Sequence, residues 1–317
     1  MRIRSFAPAD YEGIATVVTA SRPFTPITAA ELAHRDEKKA ERIDWVRLVA
    51  EAEDGRLLGV AYGGQNPWVY HPQRFFLNVT VLPELEAGTL RGQLYEVLLE
   101  KLAPYHPEAL HAEAREDEPA RVAFLESRGF VESERSWESC LDPREVDLEG
   151  FGGVQEKLHA RGVKIVTLAE LRERDAAYAR KLHELDRDAG EGEPSDIPYT
   201  HPPFEEFYTE LFESPDLLPD AFFIALDGER YVGVSHVWKV AAEEGTLSTG
   251  FTGVLPDYRR MGIATALKVR VIDYAQKHGI AMIKTYNNQR NRPMLAINER
   301  LGFVKQPAWI AYKKELS

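Results

Sequence analysis

The stretch Gly250-Phe251-Thr252-Gly253-Val254-Leu255-Pro256-Asp257-Tyr258-Arg259-Arg260-Met261-Gly262-Ile263-Ala264-Thr265-Ala266-Leu267 decides how this chain is read. An extended run ends at Val254 and Pro256 stops it. A helix then opens near Gly262, with Ala264, Leu267, Val271 and Ala275 at helical spacing on one apolar face. A loop entering a helix amino terminus presents unpaired backbone N–H groups and the positive end of the helix dipole. Gly262 removes the side chain where a phosphate must approach, and Arg259 and Arg260 add charge. Together these describe a pyrophosphate cradle. Taken alone, Arg-x-x-Gly-x-Ala is a weak pattern, equally readable as a junction with two solvated arginines.

Outward from this stretch the chain reads as one pattern written twice. Glu299-Arg300-Leu301-Gly302-Phe303-Val304 matches Glu126-Ser127-Arg128-Gly129-Phe130-Val131 at an offset of 173. The same offset lays Pro256 on Pro83, Val254 on Val81 and Asp227-Gly228 on Asp54-Gly55. Asp-Gly between apolar runs signals a hairpin. A one-residue slip after it is assigned to an extra residue in the second turn. Each copy runs strand, helix, hairpin, strand, helix, strand, short helix and strand. This order predicts an α/β (α+β) fold with two tandem domains, each a mixed, mostly antiparallel sheet flanked by helices. The expected boundaries are 1–145 for the first domain, 146–163 for a linker with a short helix, and 164–317 for the second. A Gly/Pro/acidic insertion from Asp188 to Pro203 reads as a surface loop, with a lid as the second reading.

Net charge is −12, which argues against general nucleic-acid binding and weakly favours cationic partners. An anionic ligand therefore needs a local positive patch. No long apolar run marks a signal peptide or membrane span, and the lone Cys140 fits a reducing cytoplasm. The histidines show no ligand spacing, so no metal is expected.

The loop, its preceding Val-x-Pro and the downstream run ending Leu301-Gly302-Phe303 resemble the GNAT N-acetyltransferase superfamily. The resemblance covers 164–317 and, more weakly, 1–140, as in tandem proteins of the mycothiol-synthase type of architecture. It implies acetyl-CoA as acyl donor and a small-molecule amine (amino sugar, polyamine or amino-acid-like) as acceptor. It also implies that the backbones of Thr252, Gly253 and Val254 pair with the pantetheine arm. Arg259 takes the family's Arg/Gln position, and the amides of Arg260, Met261, Gly262, Ile263, Ala264 and Thr265 hold the pyrophosphate. Asn287 and Asn291 are placed at the splayed end of the sheet, near the donor.

Two departures qualify that expectation. The first copy reads Glu86-Ala87-Gly88-Thr89-Leu90-Arg91 where the cradle should be, and an acidic residue is electrostatically wrong beside phosphate. That copy is expected to be non-catalytic. In the second copy the family's base position is Ser248 and its acid position Asn298, neither a good proton carrier near neutral pH. His236 stands as substitute base and Tyr286 as substitute acid. The missing pair keeps a rival reading open, a non-catalytic acyl-CoA-binding or regulatory module. Monomer and homodimer both stay open.

Overall fold

The computed structural model describes residues 1–316. The chain opens with β1 (Arg2–Ser5), α1 (Tyr11–Ser21), α2 (Ala29–Lys38), β2 (Trp45–Glu51), β3 (Leu57–Gly64) and β4 (Arg74–Val81). Next come α3 (Leu90–Leu102), β5 (Ala109–Arg115), α4 (Pro119–Ser127), β6 (Val131–Leu141) and α5 (Gly152–His159). It continues with β7 (Val163–Thr167), α6 (Leu168–Arg174), α7 (Tyr178–Gly190), α8 (Phe204–Phe212), β8 (Leu217–Asp227), β9 (Arg230–Lys239) and β10 (Thr246–Val254). It closes with α9 (Ile263–Lys277), β11 (Met282–Asn288), α10 (Arg292–Arg300), β12 (Val304–Lys305) and β13 (Trp309–Glu315).

Two compact units emerge. The first contains Met1–Ser136, Ser195–Pro202 and the residues from Pro307 on; the second contains Trp137–Pro194 and Pro203–Gln306. In the first, strands follow the order β1-β2-β3-β4-β5-β13-β6. In the second, the order is β11-β10-β9-β8-β7. Pairing is antiparallel apart from β4 with β5 and β10 with β11. The expected mixed, mostly antiparallel architecture is thus the one found.

The boundaries differ from 1–145, 146–163 and 164–317. β13 pairs along its length with β5, from Trp309 opposite Arg115 to Glu315 opposite Ala109, so the chain's last strand completes the first unit's sheet. Strand pairing satisfies backbone groups wherever an edge is open, and sequence order does not dictate which edge that is. The stretch 146–163, expected to hold a short helix, contains α5, which buries Leu158 to 2% exposure inside the second unit.

The repeat has physical causes. Both Asp-Gly sites form hairpin turns, with Gly55 at φ 87 and Gly228 at φ 58. Pairing closes at Glu51–Leu57 in the first copy and at Asp227–Arg230 in the second. After Asp-Gly the second copy has one residue more before its strand, Glu229 and Arg230 against Arg56 alone, which is the one-residue slip.

Gly59 on β3 and Gly233 on β9 answer each other in the two copies because a helix lies directly on that strand. A Cβ at Gly59 would stand 2.8 Å from Leu94 Cδ1 on α3, and one at Gly233 2.9 Å from Ile263 Cγ2 on α9. Gly233→Val should cost about 1–3 kcal/mol by overpacking, read as a lowered denaturation midpoint with unchanged slope. The packing it disturbs fixes the start of α9, where the candidate site lies.

Candidate functional site

β10 and β11 run parallel and pair only at Thr246–Met282, Leu247–Ile283 and Ser248–Lys284. Beyond Ser248, β10 continues to Val254 and β11 to Asn288 without pairing to each other, so the strands splay into a wedge. On its other side β10 stays paired with β9, from Thr252–Ser235 to Val254–Gly233. A register shift between Thr249 and Thr252 places a bulge at the level of the splay. The β11-facing edge of β10 therefore offers backbone donors and acceptors to an extended ligand, as an added strand would. The Thr252 side chain turns away to Ser235, with Oγ atoms 2.8 Å apart, which leaves its backbone as the usable part.

After Val254 the chain turns through Pro256 and enters α9. Arg260 adopts φ 65 and Gly262 φ 90, two left-handed residues separated by one. Alternation of this kind turns successive N–H groups toward one concave face. Gly262 is also the N-cap of α9, has no side-chain cap, and no acidic residue follows in the first turn. The first amides of the helix are thus left for an anion.

A cleft of 640 Å³ runs along this wedge and loop, within the range of small-molecule sites. Its walls include Thr252, Gly253, Val254, Arg259, Arg260, Gly262, Ile263, Ala264, Thr265 and Asn291 from the sequence expectation. Met261 and Asn287 do not line it. Asn287 Oδ1 instead accepts from Asn298 Nδ2 at 2.6 Å, which ties β11 to α10, and Asn291 Oδ1 caps α10 through Met294 N–H at 3.3 Å.

Sequence reasoning missed other walls: Ala189, Gly192, Glu193 and Pro194 from the loop after α7, Arg290 after β11, and Met294, Ile297 and Arg300 on α10. Arg300 donates to Thr265 Oγ1 at 2.9 Å. With Arg259, Arg260 and Arg290 it makes four arginines on one cleft, the local positive patch that an anionic ligand requires in an acidic chain.

Arg259, on the cleft, also ties chain segments together. Its Nε donates to Val254 O at 3.1 Å, and its Nη2 donates to Ala189 O and Glu191 O at 3.2 Å each. The guanidinium thus fastens the 189–191 segment to the end of β10. On the other side of the wedge, Asn288 Nδ2 donates to Pro194 O at 3.1 Å. The segment from Ala189 to Pro194 is a strap tied to both splayed strands. This part of the loop read from the sequence as Asp188 to Pro203 forms a wall of the cleft. Residues Ser195–Pro202 belong to the first unit, where Thr200 N–H donates to Trp68 O at 2.7 Å and Tyr199 stacks on Trp68.

None of the four candidate proton carriers lines the cleft. Ser248 is the last paired residue of the parallel ladder, and Tyr286 is 39% exposed. Asn298 is 2% exposed and committed to Asn287. His236 is 4% exposed, stacks on Phe222 at 4.5 Å and meets Trp238 edge-on at 5.0 Å. Its Nε2 accepts from Phe251 N–H in the bulge at 3.4 Å, so the ring proton sits on Nδ1. Burial pushes the imidazole down to about 4. A neutral ring whose lone pair holds the bulge positions β10; it is not the base for an incoming amine.

The corresponding place in the first unit has other chemistry. Glu86 there pairs with the buried Arg91, and no residue of the 83–90 loop takes a left-handed conformation. The parallel pairing of β4 with β5 ends at Leu77–Ala112. Past that point Arg121 from α4 fills the gap, donating to Val79 O at 3.3 Å on β4 and Glu113 O at 2.7 Å on β5. Its other nitrogen donates to Asn78 Oδ1 at 3.1 Å.

Comparison with known proteins agrees with this geometry. Residues 179–303 match the Acetyltransferase (GNAT) family. N-alpha-acetyltransferase 30 of Schizosaccharomyces pombe is 31% identical over 90 residues, spanning 27% of this chain and 59% of that protein. Mycothiol acetyltransferase of Streptomyces coelicolor is 30% identical over 97 residues, spanning 31% of each chain. Each match thus covers less than two thirds of the relative. A tandem GNAT protein from the clavulanic acid biosynthesis pathway has a TM-score of 0.75 at 17% identity, over 99% of this chain and 98% of that one. A GCN5-related N-acetyltransferase from Sphaerobacter thermophilus has a TM-score of 0.67 at 18% identity, over 99% and 95%. At such identities these two structures show the fold alone. Residues 179–303 therefore form a GNAT acetyltransferase family domain, in a chain whose fold is that of a tandem GNAT protein.

Proposed function

We propose that this chain transfers the acetyl group of acetyl-CoA to the amine of a small molecule, with the chemistry in the second unit. The observation that carries the proposal is the wedge between β10 and β11 opening onto the cradle at Arg260–Thr265, with four arginines on the same cleft. A CoA ester needs these parts in this order. An extended amide chain lies along a strand edge, and a pyrophosphate sits at the helix entrance. The names of the relatives, an N-alpha-acetyltransferase and mycothiol acetyltransferases, support acetyl transfer as the reaction class.

The reaction is direct. The neutral amine nitrogen attacks the thioester carbonyl, a C–N bond forms, the C–S bond breaks, and CoA leaves as thiolate. Backbone N–H groups freed at the splay polarise the carbonyl, and alignment in the wedge supplies proximity. An amino sugar, polyamine or amino-acid-like amine is the acceptor class, since an acidic protein attracts cations. The first unit is proposed to be a non-catalytic partner, because Arg121 and the Glu86–Arg91 pair occupy the features that would hold a donor.

One observation favours the second reading, a non-catalytic acyl-CoA-binding module: the four expected proton carriers lie off the cleft. Turnover across an amine panel decides between the two. Acetyl transfer gives acceptor-dependent release of CoA thiol with a stoichiometric acetylated product. Tight acetyl-CoA binding with no release for any amine supports the module.

A further inference from the structure

We propose that Arg300, at the end of α10, binds the pyrophosphate of the donor beside the cradle at Arg260–Thr265; this rests on the acetyl-CoA reading above. The four arginines on the cleft are not equivalent. Arg259 spends its guanidinium on the carbonyls of Val254, Ala189 and Glu191. Arg260 and Arg290 stand on turns, at the cradle and after β11. Arg300 comes from a helix and is held against the first turn of another.

One hydrogen bond places it. Arg300 Nη2 donates to Thr265 Oγ1 at 2.9 Å. Thr265 is the third residue of α9 and is 3% exposed, so its hydroxyl is a fixed point. Ala266 N–H makes the first bond of that helix, to Gly262 O at 3.0 Å. The amides of Ile263, Ala264 and Thr265 ahead of it are left for a ligand. The Arg300 fork is thus held beside the last of these amides. One N–H of the fork is used, and the others remain for an anion. Both residues line the cleft, and the Arg300 side chain is otherwise exposed, so a ligand can reach it. No carboxylate among the described residues pairs with Arg300, and its charge is not cancelled.

The first unit shows the same place without a cradle. At the offset of 173, Thr265 falls on Gly92 and Arg300 on Ser127. Ser127 Oγ donates to Phe124 O of its own helix at 2.8 Å. An arginine does approach α3 there, from the next position: a Cβ on Gly92 would stand 2.8 Å from Arg128 Nη2. That arginine is paired with Glu96 on α3, as Arg91 is with Glu86. The corresponding helices of the first unit therefore fold without an Arg–Thr bond, and the arginines near the lost cradle are neutralised by carboxylates. The uncancelled arginine belongs to the copy that has the free amides. A guanidinium kept only to pin α10 needs no open charge, whereas one kept for a phosphate does.

Bonds from a guanidinium to phosphate oxygens are charge-assisted, and the fork can meet two oxygens at once. The amides of α9 and the fork of Arg300 would then hold the pyrophosphate from two elements.

The test is Arg300→Gln beside Arg300→Lys. Calorimetry gives Kd for acetyl-CoA and for acetyl-3′-dephospho-CoA at low and high salt, and circular dichroism checks the fold. R300Q should raise the acetyl-CoA Kd about 10- to 100-fold at low salt. The 3′-dephospho donor should show the same rise, and the penalty should shrink as salt increases. R300K, which keeps the charge and loses the fork, should show a smaller rise. An unchanged Kd in R300Q overturns the assignment. A rise that salt does not alter overturns it too, and leaves Arg300 as a pin between α10 and α9. A rise that the 3′-dephospho donor does not share overturns it in favour of the 3′-phosphate. None of these measurements needs an amine, so a failure to acetylate would count against the transfer reading and not against Arg300. If the wild type binds no acetyl-CoA, the donor reading fails and this assignment falls with it.

Discussion

Gly262→Glu should abolish measurable acetyl-CoA binding while the chain stays folded. Gly262 sits at φ 90, where a residue with a Cβ pays about 1–2 kcal/mol. The new Cβ would also stand 3.3 Å from Val154 Cγ1 on α5. Rotation out of the left-handed region would turn the amides of the 260–265 loop away from their common face. The introduced carboxylate would lie at the helix entrance, where it competes for those amides and repels a pyrophosphate. Conformation and charge act in the same direction, and a rise of at least about 100-fold in Kd is expected, since 2.7 kcal/mol suffices for that. Calorimetric titration with acetyl-CoA measures it, and circular dichroism checks the fold. Gly262→Ala, which keeps the strain and omits the charge, should fall between the two.

The second large effect concerns Lys268 on α9. Its side chain is 3% exposed, its Nζ lies 5.3 Å from the centre of the Phe303 ring, and it makes no hydrogen bond to any described residue. Burial pushes its ammonium down from 10.5 to about 8. The unfolded chain keeps the proton up to 10.5, so between about 8 and 10.5 the unfolded state binds more protons and stability rises with pH. Below 8 the full cost is present, and the span of the shift corresponds to about 3 kcal/mol. Lys268→Met keeps the stem against Phe303 and removes the charge. It should stabilise the protein by about 1–3 kcal/mol near pH 7, and the gain should vanish by pH 10.5. Denaturant titrations at the two pH values measure both parts. A gain that does not depend on pH would mean that improved packing, not removal of the buried charge, is the cause.

These two residues lie on one helix, yet only one of them was legible. Gly262 was readable because its requirement is local: a strand end, a proline, a tight turn and a helix start are all written in adjacent residues. Lys268 looks like an ordinary polar position in the run Ala264, Leu267, Val271, and only the packing of Phe303 onto that face shows it to be buried. The four candidate proton carriers show the same limit. Ser248 and Asn298 stand at the family's base and acid positions and His236 and Tyr286 on strands, and neither kind of position says whether a side chain meets the cleft or the core. His236 is the clearest case, because Phe222 and Trp238 enclose it and the bulge uses its lone pair.

What the sequence determined by itself was whatever depends on neighbours in the chain. The two Asp-Gly turns and the strand ends at Val81 and Val254 are of this kind, and their repetition made them readable twice; the loop at Arg260–Thr265 was readable from its single copy. The tertiary structure decided what depends on distant pairs. It sent β13 to the first unit's sheet and gave Arg259 the carbonyls of Ala189 and Glu191 as partners. It lodged Arg121 between β4 and β5, and it carried Glu193 onto the cleft wall. The physical reason is common to all four. A splayed strand edge exposes carbonyls and amides that must find partners, and the residue that supplies them is set by which segment the fold brings near, not by its place in the sequence.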